Sequence, residues 1–251
     1  MSNTEILHFD SIHSLYVSPQ NDPFNSKFHI DKQLNNVSRI FLKSLEMPIN
    51  FYNIRNGLNI ITIKTNLNNV YSVSIQQANY TTITSLLTII NNAFVGVIPS
   101  TTITFSTDSS NTYCICSVTS STITSFSFVD TVLSKYILGF RNATHGSLTV
   151  TAPTCYLLDV DHYVTMYLSN IPCDNTFSNG NLLMSFKIPL NATNGLIYYQ
   201  AENSSFTQYV NMLKTHQTIT YFIVTIYDRF GNVILNNNAD YSFSLGIEYE
   251  Q

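Results

Sequence analysis

The most regular pattern along this chain is a strict alternation of apolar and polar residues. It is clearest in the closing segment, where Tyr241, Phe243, Leu245, Ile247 and Tyr249 alternate with Ser242, Ser244, Gly246, Glu248 and Glu250. Shorter runs of the same kind lie at residues 71–76, 102–106 and 164–169. Because successive side chains of a β-strand point to opposite faces, the pattern predicts strands with one face on a core and the other towards solvent.

Other segments are apolar at nearly every position and rich in β-branched and aromatic residues, as in residues 39–54, 182–188 and 218–227. Such residues favour strands, and a strand that is apolar on both faces belongs in the middle of a sheet with its outer face covered. A neighbouring subunit could provide that cover. Breaks rich in Asn and Gly at residues 55–57, 178–180 and 228–232 separate the strands. The order predicts a sandwich or barrel instead of alternating β-α units.

Two segments have helical periodicity instead. In residues 81–94 the apolar residues recur at helical spacing, with Thr81 or Thr82 available as the N-cap; they are Ile83, Leu86, Leu87, Ile90 and Phe94. The second predicted helix spans residues 128–138 and ends at Gly139, which suits a left-handed C-cap. Each is a single helix inserted among strands.

The chain shows no linker, internal repeat or shift in composition. We therefore predict one domain over residues 1–251. Residues 1–23 have no sustained period, which indicates an N-terminal arm or an irregular lead-in strand.

Charged residues make up only 10% of the chain, against about 25% in an average globular protein, and Asn, Ser and Thr supply the polarity instead. A surface of this kind is easily desolvated, which favours a protein that packs against neighbours. The net charge is −4 and the 11 basic residues are scattered, so we expect no specific nucleic-acid binding. No run of 18 apolar residues occurs, which predicts that no segment spans a membrane. The first residues lack the pattern of a signal peptide, so we expect synthesis in a cytosol-like compartment.

The cysteines do not have the spacing of a zinc site. Cys114 and Cys116 form a Cys-x-Cys pair on a predicted strand, where both would point to one face, and Cys155 and Cys173 stand alone. Zinc sites in proteins normally use Cys-x₂₋₄-Cys pairs and a second matching pair. We therefore predict buried or idle thiols.

One cluster could hold a divalent ion. On a strand, Asp159 and Asp161 would share a face, and His162 at an adjoining turn could complete a partial ligand set. The alternative is a polar turn between strands, which the sequence favours. We find no nucleophile elbow, phosphate loop, dinucleotide fingerprint or His-Glu-x-x-His helix. The sequence thus predicts a protein without catalytic residues, metal or cofactor.

The aromatic residues comprise 16 Tyr, 16 Phe and no Trp. Tyrosine buries apolar area while keeping a polar tip, so this content is typical of protein interfaces. Stacking of sugars or of single-stranded nucleic acid on tyrosines is the alternative.

Three short stretches carry a resemblance to a known family. They are the helix opening at residues 79–87, the tripeptide Leu138-Gly139-Phe140, and the last two predicted strands with the turn at residues 228–232 between them. In these stretches and in their order the chain resembles the minor capsid, or penton, proteins of virophages and Maverick/Polinton-type viruses. The resemblance covers about residues 41–249.

The resemblance implies an all-β protein: a single jelly-roll β-sandwich of two antiparallel sheets with about eight core strands and one or two short inserted helices. It also implies a homopentamer at the icosahedral fivefold vertices of a virion capsid, in contact with the major capsid protein, after synthesis in the host cytoplasm. Such a ring is heterologous, since one flank of a subunit meets the opposite flank of the next. The family has no catalytic residues. Many relatives carry an extra domain in one loop, for which this chain length leaves little room.

Two other functions fit the same architecture. The first is a carbohydrate-binding or attachment module, which would present an aromatic and polar patch on loops at one end. The second is a cupin-like enzyme, which would need two or three histidines and a carboxylate inside the barrel. The histidines here are widely spaced and no His-x-His pair occurs.

Overall fold

The computed structural model describes residues 4–17, 22–141, 144–145, 147–171, 184–190, 196–200, 209–211 and 218–249. The chain forms two compact units: unit 1 comprises Met1–Phe51 with Asp161–Gln251, and unit 2 comprises Tyr52–Val160. The strands, in chain order, are β1 Thr4–Asp10, β2 Leu15–Tyr16, β3 Asn25–Leu34, β4 Val37–Pro48, β5 Ile60–Thr65, β6 Val70–Ser74, β7 Thr101–Thr107, β8 Cys114–Ser120, β9 Phe126–Val129, β10 Thr144–His145, β11 Thr149–Thr151, β12 Tyr163–Ser169, β13 Met184–Pro189, β14 Leu196–Gln200, β15 Tyr209–Asn211, β16 Ile219–Tyr227 and β17 Ser242–Tyr249. The helical elements are a 3₁₀ turn Ser11–His13, helix α1 Ile83–Phe94 and a π-helix Leu133–Ile137.

Unit 1 consists of two antiparallel sheets. The first has the order β1-β17-β4-β14, with β15 also paired to β4, and the second has the order β13-β12-β16-β3-β2. If β14 and β15 count as one interrupted strand and the two-residue β2 is left out, eight strands remain. These eight strands can be counted from first to eighth along the chain. The first sheet then contains the first, eighth, third and sixth strands, and the second sheet contains the second, seventh, fourth and fifth. This is the jelly-roll arrangement, so the predicted fold class is confirmed.

The core of unit 1 lies between these sheets. From β17 it receives Phe243, Leu245 and Ile247, as the alternation predicts, and from β16 it receives Phe222 and Val224. Strand β16 lies mid-sheet between β12 and β3, again as predicted. Four aromatic rings from different strands meet here, with centroids 4.9 to 6.1 Å apart; they are Phe9, Phe28, Phe222 and Phe243. Phe28, Phe222 and Phe243 are buried and Phe9 is partly buried. Full burial of a phenylalanine side chain stabilises a fold by about 1.5–3 kcal/mol.

Unit 2 contains the sheets β10-β9-β5-β6 and β11-β8-β7, together with α1. Its core is also aromatic: the rings of Phe128 and Phe140 stack at 4.3 Å, and Phe94 stacks on Phe105 at 5.8 Å. The side chain of Asn91 on α1 holds β7, because its Nδ2 donates to the carbonyl oxygen of Phe105 and its Oδ1 accepts from the amide of the same residue. Helix and strand are thus joined by hydrogen bonds as well as by packing.

The first predicted helix is confirmed. Helix α1 spans Ile83–Phe94, the five residues of the predicted apolar face are all buried, and Thr82 is the N-cap through its hydroxyl, which accepts from the amide of Ser85 at 3.2 Å. Apolar spacing and a capping threonine are local signals, which is why the sequence places this helix correctly.

The second helix is shorter than predicted. Residues 126–129 form strand β9, in which Phe126 and Phe128 lie opposite Thr65 and Ile63 of β5, and only residues 133–137 are helical. Two apolar residues at alternate positions can begin a strand as well as a helix, and here pairing with β5 decides. Gly139 has a φ of +86°, as a left-handed cap requires.

The N-terminal segment begins with a regular strand. Thr4–Asp10 pairs with β17 over all seven of its residues and alternates between exposed and half-buried side chains. Residues 52–160, between β4 and β12, form the whole of unit 2, so the chain does have room for an inserted unit. The prediction that both units fold as one domain stays a prediction.

Candidate functional site

The outer face of the first sheet presents a grid of side chains from three adjacent strands. Each row takes one residue from β1, one from β17 and one from β4, in registers fixed by the strand pairing. The rows are Asp10–Ser242–Glu46, His8–Ser244–Ser44, Ile6–Gly246–Phe41 and Thr4–Glu248–Arg39. The grid therefore changes from polar at one end, through an apolar row, to an ion pair at the other end, where Arg39 and Glu248 lie 3.7 Å apart.

The second row is a continuous hydrogen-bonded chain. The hydroxyl of Ser44 donates to the hydroxyl of Ser244 at 2.9 Å, and that of Ser244 lies 2.7 Å from Nδ1 of His8. A serine hydroxyl both donates and accepts, so the hydroxyl of Ser244 bonds to Nδ1 of His8 while it accepts from Ser44. These hydrogen bonds fix the orientation of the imidazole.

A β-bulge widens the face beside this row. Ser244 pairs with Ser44 and Leu245 pairs with Leu42, so Lys43 is an additional residue on β4. Next to it lies an open cleft of about 620 Å³. Its polar lining comes from Asp10, His13, Lys43 and Glu46 as well as from the second row, and its apolar lining includes Ile6 and Phe9.

The third row is closed by an aromatic ring. A Cβ atom on Gly246 would lie 2.1 Å from the nearest ring atom of Phe41, so the ring lies directly on the backbone of β17. A larger residue here would displace the ring, so glycine permits this close approach. The apolar row bounds the polar part of the grid on one side.

A second cleft, of about 480 Å³, lies on the other side of β1, between this strand and β3. Its apolar lining consists of Leu7, Phe9, Phe28 and Ile30, and its polar lining includes His29, Asp31 and Lys32. Lys32 of this lining donates to the carboxylate of Glu5, which also accepts at 2.5 Å from the hydroxyl of Tyr249. The bonds from Lys32 and Tyr249 hold the pKa of Glu5 below its ordinary value.

The distance between His8 and Ser244 is that between a catalytic nucleophile and its general base, but the groups around this pair differ from those in a catalytic site. Ser244 is only 6% exposed, and within the described part of the chain no carboxylate hydrogen-bonds to Nε2 of His8. Catalytic pairs of this kind are oriented by such a third group. The grid and its two clefts are suited to recognition of another surface.

The candidate metal residues are not brought together by a strand. Residues 159–161 have no regular structure; Asp161 is buried, while Asp159 and His162 are exposed. Among the residues that the structure describes, no group of three or more His, Cys, Asp or Glu side chains is arranged to hold a metal ion.

The paired cysteines face one way, as predicted. Cys114 and Cys116 are both fully buried on β8, and burial raises the pKa of the Cys114 thiol to about 12 and that of Cys116 further. Both thiols are therefore protonated and inert. Cys155 is exposed and free, and Cys173 lies outside the described residues.

Sequence reasoning missed His8 and the serines of the second row as a site. The alternation on β17 predicts that Ser244 faces solvent, whereas the structure buries it on the outer face of the sheet. The available signal was the alternation of Ile6, His8 and Asp10 with apolar residues near the N-terminus.

None of the helices in the described ranges is long and apolar enough to cross a membrane.

Comparison with known proteins finds similar chains among the solved structures. No protein-family model and no curated protein matches this chain. Among solved structures, the crystal structure of selenomethionine-labelled mavirus penton protein matches over 98% of this chain and 100% of that chain, with 13% sequence identity and a TM-score of 0.45. A protein of the class that the sequence resembles is thus among the solved structures similar to this chain.

Proposed function

We propose that this protein is a structural capsid protein, the penton that occupies the icosahedral fivefold vertices of a virion as a homopentamer and contacts the major capsid protein. The observation that carries the proposal is the eight-strand jelly roll of unit 1, which is the architecture that the resemblance to minor capsid proteins implies. Synthesis in the host cytoplasm and a role without catalysis, cofactor or specific nucleic-acid binding complete the proposal.

The surface of unit 1 supports assembly with neighbours. Three large apolar residues are exposed within one short stretch: Ile12 by 64%, Leu15 by 60% and Tyr16 by 45%. They lie on the 3₁₀ turn and on β2, the edge strand of the second sheet. Apolar residues clustered at a sheet edge favour association, and the low charge of the chain adds little repulsion between copies.

The oligomeric state tests the proposal. We expect the purified full chain to assemble into particles of five times the monomer mass, measured by mass photometry and sedimentation velocity over a range of concentrations. Negative-stain images should show rings with fivefold symmetry. A monomer that persists at the highest concentrations would contradict the vertex role.

A further inference from the structure

Strand β1 has one edge without a partner strand among the described residues. It is the outermost strand of the first sheet and pairs only with β17. The amide of Ser11 donates to the carbonyl oxygen of Tyr241 at 2.9 Å, one residue beyond the paired region. Because hydrogen-bonded pairs alternate in an antiparallel ladder, Phe9, Leu7 and Glu5 also bond to β17. The N–H and C=O groups of Ile6 and His8 therefore point away from the sheet.

The two clefts flank this edge. The cleft of about 620 Å³ lies on the outer face beside Ile6, His8 and Asp10, and the cleft of about 480 Å³ lies on the inner side beside Leu7 and Phe9. A strand added to β1 would direct alternate side chains into the two clefts. The mode is β-augmentation, in which the backbone supplies hydrogen bonds and the flanking pockets receive side chains.

The opposite edge of the same sheet is formed by β14 and β15, which pair with β4 in the described part of the chain. The order β1-β17-β4-β14 contains four strands with antiparallel neighbours throughout, so β1 and β14 run in opposite directions. If copies of the sheet are placed side by side in the same orientation, β14 of one copy meets β1 of the next in antiparallel fashion. The five-stranded second sheet would instead bring β2 and β13 together in parallel, which is the less stable pairing.

From this geometry we infer that β1 of one copy pairs with the β14–β15 edge of a second copy, so that the first sheets of neighbouring subunits join into a continuous antiparallel sheet. The inference rests on the proposed function, whose ring requires a head-to-tail interface. The exposed apolar side chains of Ile12 and Leu15 follow β1 directly along the chain and extend this flank. The occupant of the open edge is thus another copy of this chain.

A proline at an open-edge position tests the inference. Ile6→Pro removes an N–H that points away from β17, and proline is tolerated at such positions of edge strands, so the fold should persist by circular dichroism. Loss of one backbone hydrogen bond and the steric block should raise the concentration for half-assembly by about tenfold or more. Ile6→Thr keeps the N–H and a β-branched side chain, so it serves as the matched control and should assemble within about twofold of the wild type.

Hydrogen exchange on the wild-type chain provides a measurement that does not depend on a variant. The amides of Ile6 and His8, which point away from β17, and the outward-pointing amides of residues 196–200 should exchange about tenfold more slowly in the assembled state than in dilute monomer. If the wild type assembles while neither segment gains protection, or if a folded Ile6→Pro variant assembles normally, the inference is wrong and the pentamer proposal stands. If the wild type does not assemble at all, both fail.

Discussion

At the scale of single residues, the most unusual group is the hydroxyl of Tyr241. The side chain is 3% exposed, and its ring packs edge-on against Phe24 at 5.4 Å and stacks on Phe243 at 5.9 Å. Within the described chain its oxygen has no hydrogen-bond partner. Burial raises the pKa of Tyr241 well above its ordinary value, so the group is a neutral, buried and unsatisfied polar atom.

Tyr241→Phe should therefore stabilise the protein. Removing a buried hydroxyl that lacks a partner avoids a desolvation cost of about 1–3 kcal/mol, and the midpoint of urea unfolding should rise accordingly. Tyr249→Phe is the control, because the hydroxyl of Tyr249 bonds to Glu5 at 2.5 Å and its loss should lower the midpoint or leave it unchanged. A lower midpoint for Tyr241→Phe would show that the hydroxyl has a partner.

At the scale of elements, two glycines with the same backbone conformation have different surroundings. Gly139, just after the π-helix, has a φ of +86°, and a Cβ atom there would lie 2.1 Å from the carbonyl oxygen of Thr154. Gly231, in the turn after β16, has a φ of +84° and nothing within 4 Å of such an atom. Gly139 is required by its backbone conformation together with close packing, and Gly231 is required by its backbone conformation alone.

Alanine substitution separates the two effects. Gly231→Ala should cost about 1–2 kcal/mol of unfolding free energy, the usual cost of a left-handed L-residue. Gly139→Ala should cost clearly more, because the segment around Thr154 must move as well, and thermal or urea unfolding measures both. Equal losses of unfolding free energy for the two variants would mean that the segments around Gly139 and Thr154 move apart at no cost.

The elements also show how far local signals reach. Helix α1 follows from its periodicity and from its N-cap at Thr82, whereas the segment at residues 128–138 carries an apolar pattern that suits either structure. Phe126 and Phe128 become strand residues because β5 is there to pair with them. Where local preferences are nearly equal, tertiary pairing decides.

At the scale of the whole molecule, the chain forms two compact units. The sequence predicts one domain, and this predicts one cooperative transition in calorimetry with equal calorimetric and van't Hoff enthalpies. Phe222→Ala in unit 1 and Phe105→Ala in unit 2 should each cost about 3–5 kcal/mol and lower the midpoint of that single transition. Two transitions, each lowered by only one substitution, would show that the units unfold separately.

The sequence by itself determined the strand content, the inward residues of β17, helix α1 with its cap, and the orientation of the paired cysteines. Each depends on residues a few positions apart, because strand and helix periods place neighbouring side chains on defined faces. Through the family resemblance it also gave the jelly roll. The low proportion of charged residues is also determined by the sequence alone, because it is a property of composition.

The tertiary structure alone decided the grid, its clefts and the insertion of unit 2. His8 and Ser244 are 236 positions apart in the chain, and the bulge at Lys43 brings Ser44 opposite Ser244. A shift of one residue in the pairing of β1 would turn His8 away from this face, and the register is set by pairing with β17 at the far end of the chain. Which side chains meet across strands is set by long-range pairing and by the core beneath it, so only the folded chain specifies the site.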